Sequence, residues 1–147
     1  MNSGKLATYL FLCIFLVACT SAPRPVKYGT DNCIRCRMTI VEQGFGAEIV
    51  TKKGKILTFD SIECMLKYYL ANAGSKETYA YIMVTDATKP GLLIDADKAV
   101  YLKSEKLPSP MGENLSAYSN SELREKNYTE FSGQRLSWTE LCNLFTR

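Results

Sequence analysis

The sequence predicts an α+β protein made of two small related strand-strand-helix-strand (ββαβ-like) units, packed or linked in tandem. Short apolar strands alternate with turns that contain glycine or proline, and two capping-box signatures open amphipathic helices. A weak internal similarity relates residues 54–66 to residues 133–145, because a glycine, an apolar strand and an apolar helix face recur at the same spacing. We therefore expect two related units in one chain.

The N-terminus has the pattern of a lipoprotein signal peptide over residues 1–18. Lys5 supplies the positive charge, a short apolar run ends at Ala18, and Cys19 follows at once, as in a lipobox. We expect Cys19 to become the lipidated first residue of the mature protein, tethered to a membrane of the cell envelope and facing the periplasm or exterior. An uncleaved anchor or an ordinary cleaved signal is the alternative.

The rest of the chain divides by composition into a tether and two units. Residues 19–30 contain Pro23 and Pro25 among small and polar side chains, which is typical of a flexible tether. The first unit is predicted over residues 31–76 and the second over residues 77–147.

Turn and cap residues predict the elements of the first unit. Two strands flank a glycine-bearing turn and predict a hairpin: Ala47–Thr51 and Ile56–Phe59. A helix follows, because Asp60 can cap it and Glu63 can reach back to the cap; it should end near Asn72. Its apolar face is formed by residues at helical spacing: Ile62, Met65, Leu66, Tyr69 and Leu70.

The second unit is predicted in the same way. Three strands are expected, at residues 79–85, 99–102 and 128–131. Two helices are expected, one at residues 121–126 and one that a capping box of Ser137 and Glu140 opens toward Phe145. Between the strand at residues 99–102 and the first of these helices, the proline-rich segment 107–112 predicts a rigid loop that carries Met111.

Candidate chemistry concentrates in a CxxC motif, Cys33 and Cys36, followed by Met38. Two thiols on one turn can converge on a soft ion, and a nearby thioether can join them, which makes Cu(I) a candidate. Outside the cytoplasm the pair could instead form a disulfide. A structural zinc site would need Cys64 and Cys142 to complete four ligands, because the chain has no histidine.

Other function classes receive little support. A thioredoxin-like redox site would require a helix that begins at the CxxC motif, whereas strand-like sequence follows Cys36. A formal net charge of +3, with no basic run interleaved with aromatic residues, gives no support for nucleic-acid binding. The absence of histidine excludes histidine-dependent catalysis, and nothing in the sequence indicates an enzyme. Cys64 lies just off the apolar face of the first helix. The sequence allows it to be either an inert half-buried thiol or a metal ligand.

In combination, these motifs resemble the NosL family of lipoproteins. The resemblance rests on the lipobox, the CxxCxM motif, the TFDSIECM segment at residues 58–65 and the SPMGENLSAY segment at residues 109–118. It implies a copper chaperone of the cell envelope that binds Cu(I) and hands it to nitrous oxide reductase, or to the assembly machinery of that enzyme. The copper ligands it implies are Cys36 and Met111 first, with Cys33 and Met38.

Two departures from the family pattern affect the copper site. Arg37 stands where the family commonly has glycine, and no imidazole of the same chain is available. Sulfur, a carboxylate or the recipient must therefore fill any position that histidine would occupy. The competing interpretations are a thiol–disulfide redox lipoprotein that uses Cys33 and Cys36, and a zinc-stapled interaction lipoprotein.

Overall fold

The computed structural model describes residues 22–72 and 79–146, and it confirms the α+β class. These ranges contain two antiparallel sheets and three helices. The predicted signal peptide and the lipidation site Cys19 lie outside the described residues. Within the described ranges, each helix is too short or too polar to cross a bilayer.

The larger sheet has four strands in the order β2-β1-β3-β4. Their bounds are β1 Ala47–Thr51, β2 Ile56–Phe59, β3 Tyr79–Thr85 and β4 Leu93–Asp95. Ala47 of the central strand β1 lies opposite Phe59 on one side and Val84 on the other. The predicted hairpin of β1 and β2 is confirmed. Because β3 and β4 pair with this sheet, it extends past residue 76, where the boundary between the units was predicted.

The smaller sheet has three strands in the order β6-β5-β7. Their bounds are β5 Val100–Lys103, β6 Leu115–Tyr118 and β7 Gln134–Ser137. Helix α1 (Ile62–Ala71) connects β2 to β3, helix α2 (Ser121–Phe131) connects β6 to β7, and helix α3 (Trp138–Phe145) follows β7. Both sheets therefore contain a ββαβ unit whose first strand is central.

The topology changes the interpretation of the internal similarity. Residues 54–66 and 133–145 both contain a strand followed by a helix, β2 with α1 and β7 with α3. In strand order, however, the counterpart of β2 and α1 is β6 with α2. The N-caps agree with this, since Ser61 and Asn120 each lie two positions after the end of the preceding strand, whereas the cap of α3 is itself the last residue of β7.

Three local predictions are wrong. Residues 128–131 continue α2 instead of forming a strand, and side-chain hydrogen bonds along the helix support it, for example from Thr129 Oγ1 to the Glu125 carbonyl at 2.9 Å. Strands β4, β6 and β7 are missing from the three strands expected of the second unit, and pairing with β3 or β5 holds them in their sheets. Ser116 and Ala117 of β6, for example, are weak strand formers. The cap of α1 is Ser61, not Asp60: the Ser61 hydroxyl accepts from the Cys64 N–H at 3.3 Å.

The predictions for the other helix ends are confirmed. Helix α1 ends at Ala71 with Asn72 as its C-cap. Helix α3 opens with the capping box that Ser137 and Glu140 predict, with both reciprocal hydrogen bonds present.

One hydrophobic cluster includes side chains of both units, so the sheets share a core. The first unit contributes Phe59, Ile62 and Met65, among others, and the second contributes Tyr101 and Leu141. The Trp138 ring links them, with its centroid 5.6 Å from that of Tyr69 on α1 and 6.2 Å from that of Tyr101 on β5. The last turn of α1 is thus packed next to the second unit.

Candidate metal centre

Four side chains meet where β2 leads into α1. The Sγ atoms of Cys33, Cys36 and Cys64 and a carboxylate oxygen of Asp60 all lie within 4.8 Å of one another. Asp60 follows β2 directly, and Cys64 lies in the first turn of α1. We call this group the Cys/Asp cluster.

Backbone hydrogen bonds fold the CxxC segment into a closed turn and attach it to β2. The Cys33 N–H donates to the Met38 carbonyl at 2.8 Å, and the Arg37 N–H donates to the Cys33 carbonyl at 2.9 Å. The Ile34 N–H donates to the Thr58 carbonyl of β2 at 2.9 Å. The turn therefore holds both thiols beside Asp60, two residues after Thr58. Arg37 adopts a left-handed conformation with φ of 68°, which favours glycine.

The carboxylate of Asp60 is only partly satisfied by this arrangement. The Cys36 thiol lies 3.4 Å from Oδ2, while Oδ1 is buried and has no hydrogen-bond partner among the described residues. A buried neutral polar atom without a partner costs about 1–3 kcal/mol, and a carboxylate oxygen costs more. A cation held by the neighbouring thiolates would supply the missing partner, so the residues present fit a metal ion.

The thiols of the cluster differ in acidity. The hydrogen bond from the Cys64 thiol lowers the pKa of Cys33 to about 6, and backbone N–H groups act in the same direction. The same hydrogen bond, together with burial, raises the pKa of Cys64. Burial raises the pKa of Cys36. Cys33 is therefore the first thiolate available to a soft metal ion.

The structure brings together two of the four ligands predicted from the sequence, Cys33 and Cys36. Met38 is 52% exposed, and it lines a cavity of about 120 Å³ whose wall also includes Asp60 and Pro110. Met111, next to Pro110, is half-buried and packs against the hydrophobic core. The roles of the two methionines as ligands remain predictions.

Two members of the cluster were missed or left open. Asp60 was interpreted only as a helix cap, and Cys64 was left open as either an inert thiol or a ligand. The sequence signal that could have found them is their spacing. Asp60 lies between a strand and a helix and Cys64 lies in the first turn of that helix, so both lie at the same end of the unit. Cys142 is not part of the cluster, so the described residues do not assemble the four-cysteine zinc site.

The CxxC segment also lacks the geometry of a thioredoxin-like site. Residues 34–36 form a turn, and no described helix begins there. All four described cysteines are free thiols.

Comparison with known proteins agrees with the site geometry. The family model of NosL matches residues 26–143, which include both the Cys/Asp cluster and the loop that carries Met111. The chain belongs to the NosL family. Among solved structures, this NosL-family chain is similar to the copper chaperone NosL from Shewanella denitrificans, with a TM-score of 0.67 and 22% sequence identity.

The solved structure supports the fold over most of both chains. The match covers 81% of this chain and 96% of the Shewanella denitrificans chain. A comparison with curated proteins found no match. At 22% identity the similarity shows that the two proteins share a fold, and the donor atoms of this NosL-family chain must be judged from its own residues.

Three sulfur donors and one carboxylate define what the cluster can bind. Thiolates favour Cu(I) and Zn(II) among common ions, whereas hard ions such as Ca²⁺ and Mg²⁺ require mostly oxygen ligands. The half-buried position of Cys36 leaves one side of the cluster accessible from solvent. A soft ion could therefore enter and leave without unfolding of the chain.

Proposed function

We propose that this NosL-family protein is a membrane-anchored metallochaperone that binds Cu(I) and delivers it to nitrous oxide reductase during assembly of the copper centres of that enzyme. The observation that carries the proposal is the Cys/Asp cluster, which places three sulfur donors around one point. Membership of the NosL family and the similarity to a solved copper chaperone support the choice of copper.

The cluster explains how tight binding could be combined with rapid transfer. Cu(I) accepts two to four soft donors, so the thiolates of Cys33 and Cys36 would hold it and a thioether would complete the set. Met38 and Met111 are the proposed thioether ligands, and Met38 lies at the exposed rim. A ligand of the recipient could then attack from that rim before the chaperone thiolates leave.

Cys64 and Asp60 extend the ligand set that the sequence predicted. Cys64 would share its proton with Cys33 in the metal-free protein and become a third thiolate donor when the metal is bound. Asp60 would offer the ion a further donor atom through its unpartnered Oδ1. No chemical turnover is proposed, because the copper is bound and released unchanged.

Anchoring follows from the lipobox at the N-terminus. We propose that Cys19 carries the lipid and that the residues directly after it connect it to the folded part, which faces the periplasm or exterior. Within the predicted tether, Arg24 pairs with Asp31 and Val26 lies in the core, so the folded part begins before residue 30. This position would bring the cluster to a recipient in the cell envelope.

A zinc-stapled interaction lipoprotein is the second candidate. Three thiolates and one carboxylate also supply four donors, the number that Zn(II) takes in a structural site. In that case the metal would hold the CxxC turn against β2 and α1, and the function would lie on the protein surface.

A metal competition experiment separates the two candidates. The reduced protein, residues 20–147, would be titrated anaerobically against a Cu(I)-chelator complex, with a parallel Zn(II) titration. We expect one tightly bound equivalent of Cu(I), lost in Cys36→Ser and retained in Cys142→Ser, a matched control outside the cluster. Preference for zinc, with unfolding on its removal, would favour the structural site instead.

Transfer is tested separately. Copper-loaded protein would be mixed with copper-free nitrous oxide reductase, and the absorption bands of the copper centres would be followed. We expect the bands to develop with the wild-type donor and not with Cys36→Ser. Exchange of thiols with a model disulfide in the absence of metal, at a rate unaffected by copper, would favour the redox alternative.

A further inference from the structure

Glu63 is a charged side chain in a place where folding alone favours an apolar one. It lies in the first turn of α1, directly before Cys64, and its relative exposure is 0%. Its Oε1 accepts hydrogen bonds from the Ser109 hydroxyl and from the Glu113 N–H, the latter at 3.3 Å, while Oε2 has no partner among the described residues. Burial of a carboxylate is costly, so its contacts with the second unit require an explanation.

Both groups that Glu63 binds belong to the loop that carries Met111. The loop is closed on itself, since the Asn114 N–H donates to Ser109 Oγ at 2.9 Å and the Gly112 N–H donates to the Ser109 carbonyl at 3.0 Å. Residues 109–114 therefore form a compact unit, and Glu63 attaches to both ends of the segment that contains Met111.

A second pair of contacts holds the same loop at the surface. The Glu113 carboxylate is 3.1 Å from Lys67 Nζ on α1 and 3.0 Å from Lys103 Nζ on β5. All three side chains are about one third exposed, and exposed ion pairs of this kind hold side chains weakly. Glu63 is the buried attachment of the loop to α1.

The attached loop also borders the metal centre. Pro110 lines the same cavity as Met38 and Asp60, so a displacement of residues 109–114 would open that cavity. Helix α1 carries Cys64 and Glu63 in adjacent positions. Within one helical turn, Cys64 is therefore a member of the Cys/Asp cluster, and Glu63 contacts the loop that carries Met111.

We propose that Glu63 is a positioning residue for metal binding, which holds the loop of Pro110 and Met111 beside the Cys/Asp cluster and thereby slows release of the metal. The proposal deepens the proposed function and rests on it for the metal. Glu63 itself is not a ligand in this proposal. It acts through the loop, so its effect should depend on the presence of Met111.

The test compares Glu63→Leu, which removes both hydrogen bonds at similar volume, with Glu63→Gln, which keeps an acceptor at Oε1. Release of Cu(I) to excess chelator should be about tenfold faster in Glu63→Leu and close to the wild-type rate in Glu63→Gln. Met111→Leu should accelerate release by a similar factor. The double variant Glu63→Leu/Met111→Leu should be no faster than Met111→Leu, because Glu63 acts by holding the loop that positions Met111.

Glu48 provides a matched control. It is also a carboxylate with 0% exposure and an unpartnered Oε2, but its Oε1 accepts from the Arg24 N–H at 3.1 Å, away from the loop. Glu48→Leu should alter the unfolding midpoint without changing the rate of copper release. Equal acceleration in the Glu48 and Glu63 variants, or additive effects of Glu63→Leu and Met111→Leu, would overturn the proposal.

A second measurement needs no metal. Hydrogen exchange of the Glu113 and Asn114 amides should be faster in metal-free Glu63→Leu than in wild type, and unchanged in Glu63→Gln. Unchanged exchange in Glu63→Leu would show that the carboxylate does not hold the loop, whatever the metal. If wild type bound no Cu(I) at all, the proposed function would fail, while this measurement would still decide whether Glu63 anchors the loop.

Discussion

The two ββαβ units have the same strand order, but they support the candidate site with different parts of the unit. In the first unit a tight turn at residues 52–55 joins the central strand to its neighbour, and the strand–helix junction carries Asp60 and Cys64. In the second unit the junction carries Ser119, whereas the equivalent turn is expanded into residues 104–114. A shared backbone pattern therefore does not dictate where the functional residues lie.

The helices of the two units differ as strongly as the loops. Helix α1 buries six residues, while α2 buries none. The cluster is attached to the helix that the core holds most firmly, so Cys64 and Glu63 keep a defined position. Helix α2 lies at the surface, so the core does not hold its side chains in defined positions.

The largest expected effect tests this difference in burial. Leu66→Ala in α1 should lower the free energy of unfolding by about 2–5 kcal/mol, because Leu66 is fully buried and its loss leaves a cavity. Leu123→Ala in α2 should cost about 1 kcal/mol, since that side chain is only half-buried. Urea denaturation of the metal-free protein measures both, and equal losses would contradict the comparison.

The second prediction concerns glycines of the second unit. Gly133 precedes β7 with φ of +128°, and a Cβ there would lie 2.2 Å from the Lys103 carbonyl oxygen. Gly133→Ala should therefore cost about 3 kcal/mol. Gly112, in the Met111 loop, has φ of +79° and open space, so Gly112→Ala should cost about 1 kcal/mol. Thermal unfolding of both variants provides the check; a smaller loss for Gly133→Ala would mean that β7 shifts easily.

A third prediction compares the two helix caps. The Ser61 hydroxyl accepts from the Cys64 N–H at 3.3 Å, and the Asn120 side chain accepts from the Leu123 N–H at 3.0 Å. Ser61→Ala and Asn120→Ala should each cost about 1 kcal/mol in a urea titration. Metal affinity should fall only in Ser61→Ala, because that cap holds the backbone of Cys64. A fall in affinity of the same size in Asn120→Ala would argue against this local effect.

The last prediction concerns the titration of a single thiol. The lowered pKa of Cys33, about 6 instead of 9.0, means that the folded protein releases this proton at lower pH than the unfolded chain. The thiol should therefore add stability as pH rises from about 6 to 9, and lose that contribution as pH falls through 6. Thiolate absorbance of metal-free protein should show the step, which should persist in Cys142→Ser.

Cys33→Ser serves as the opposite control for this titration. It should remove the step near pH 6, because the hydrogen bond from Cys64 then has no thiolate to accept it. A step that survives in Cys33→Ser would assign the acidic thiol to another cysteine.

The sequence predicted those parts of the fold that local signals specify. The β1–β2 hairpin, helix α1 and the capping box of α3 follow from turn residues, helical periodicity and cap chemistry within a few positions. Strand β6 was missed because its pairing partner, not its own composition, makes it a strand. The segment 128–131 was misassigned because its strand-like residues extend a helix that is already capped.

The residues of the candidate site also divide into those that local sequence signals identify and those that only tertiary contacts identify. Cys33 and Cys36 could be found from their spacing, because one turn brings them together whatever the rest of the chain does. Asp60 could not, since its role depends on the contact between the CxxC turn and the end of β2. The similarity to NosL pointed to the Met111 loop, but only the fold shows that Glu63 attaches this loop to α1.

By itself, the sequence determined the ββαβ class, the CxxC turn and the family, because these depend on residue types a few positions apart. Tertiary structure alone decided that Asp60 and Cys64 join the two thiols and that a buried carboxylate anchors a loop 46 residues away. The physical reason is the sequence separation over which these interactions act. Hydrogen bonds of turns and caps are local, whereas a metal cluster and a buried charge acquire their partners only when distant segments pack against one core.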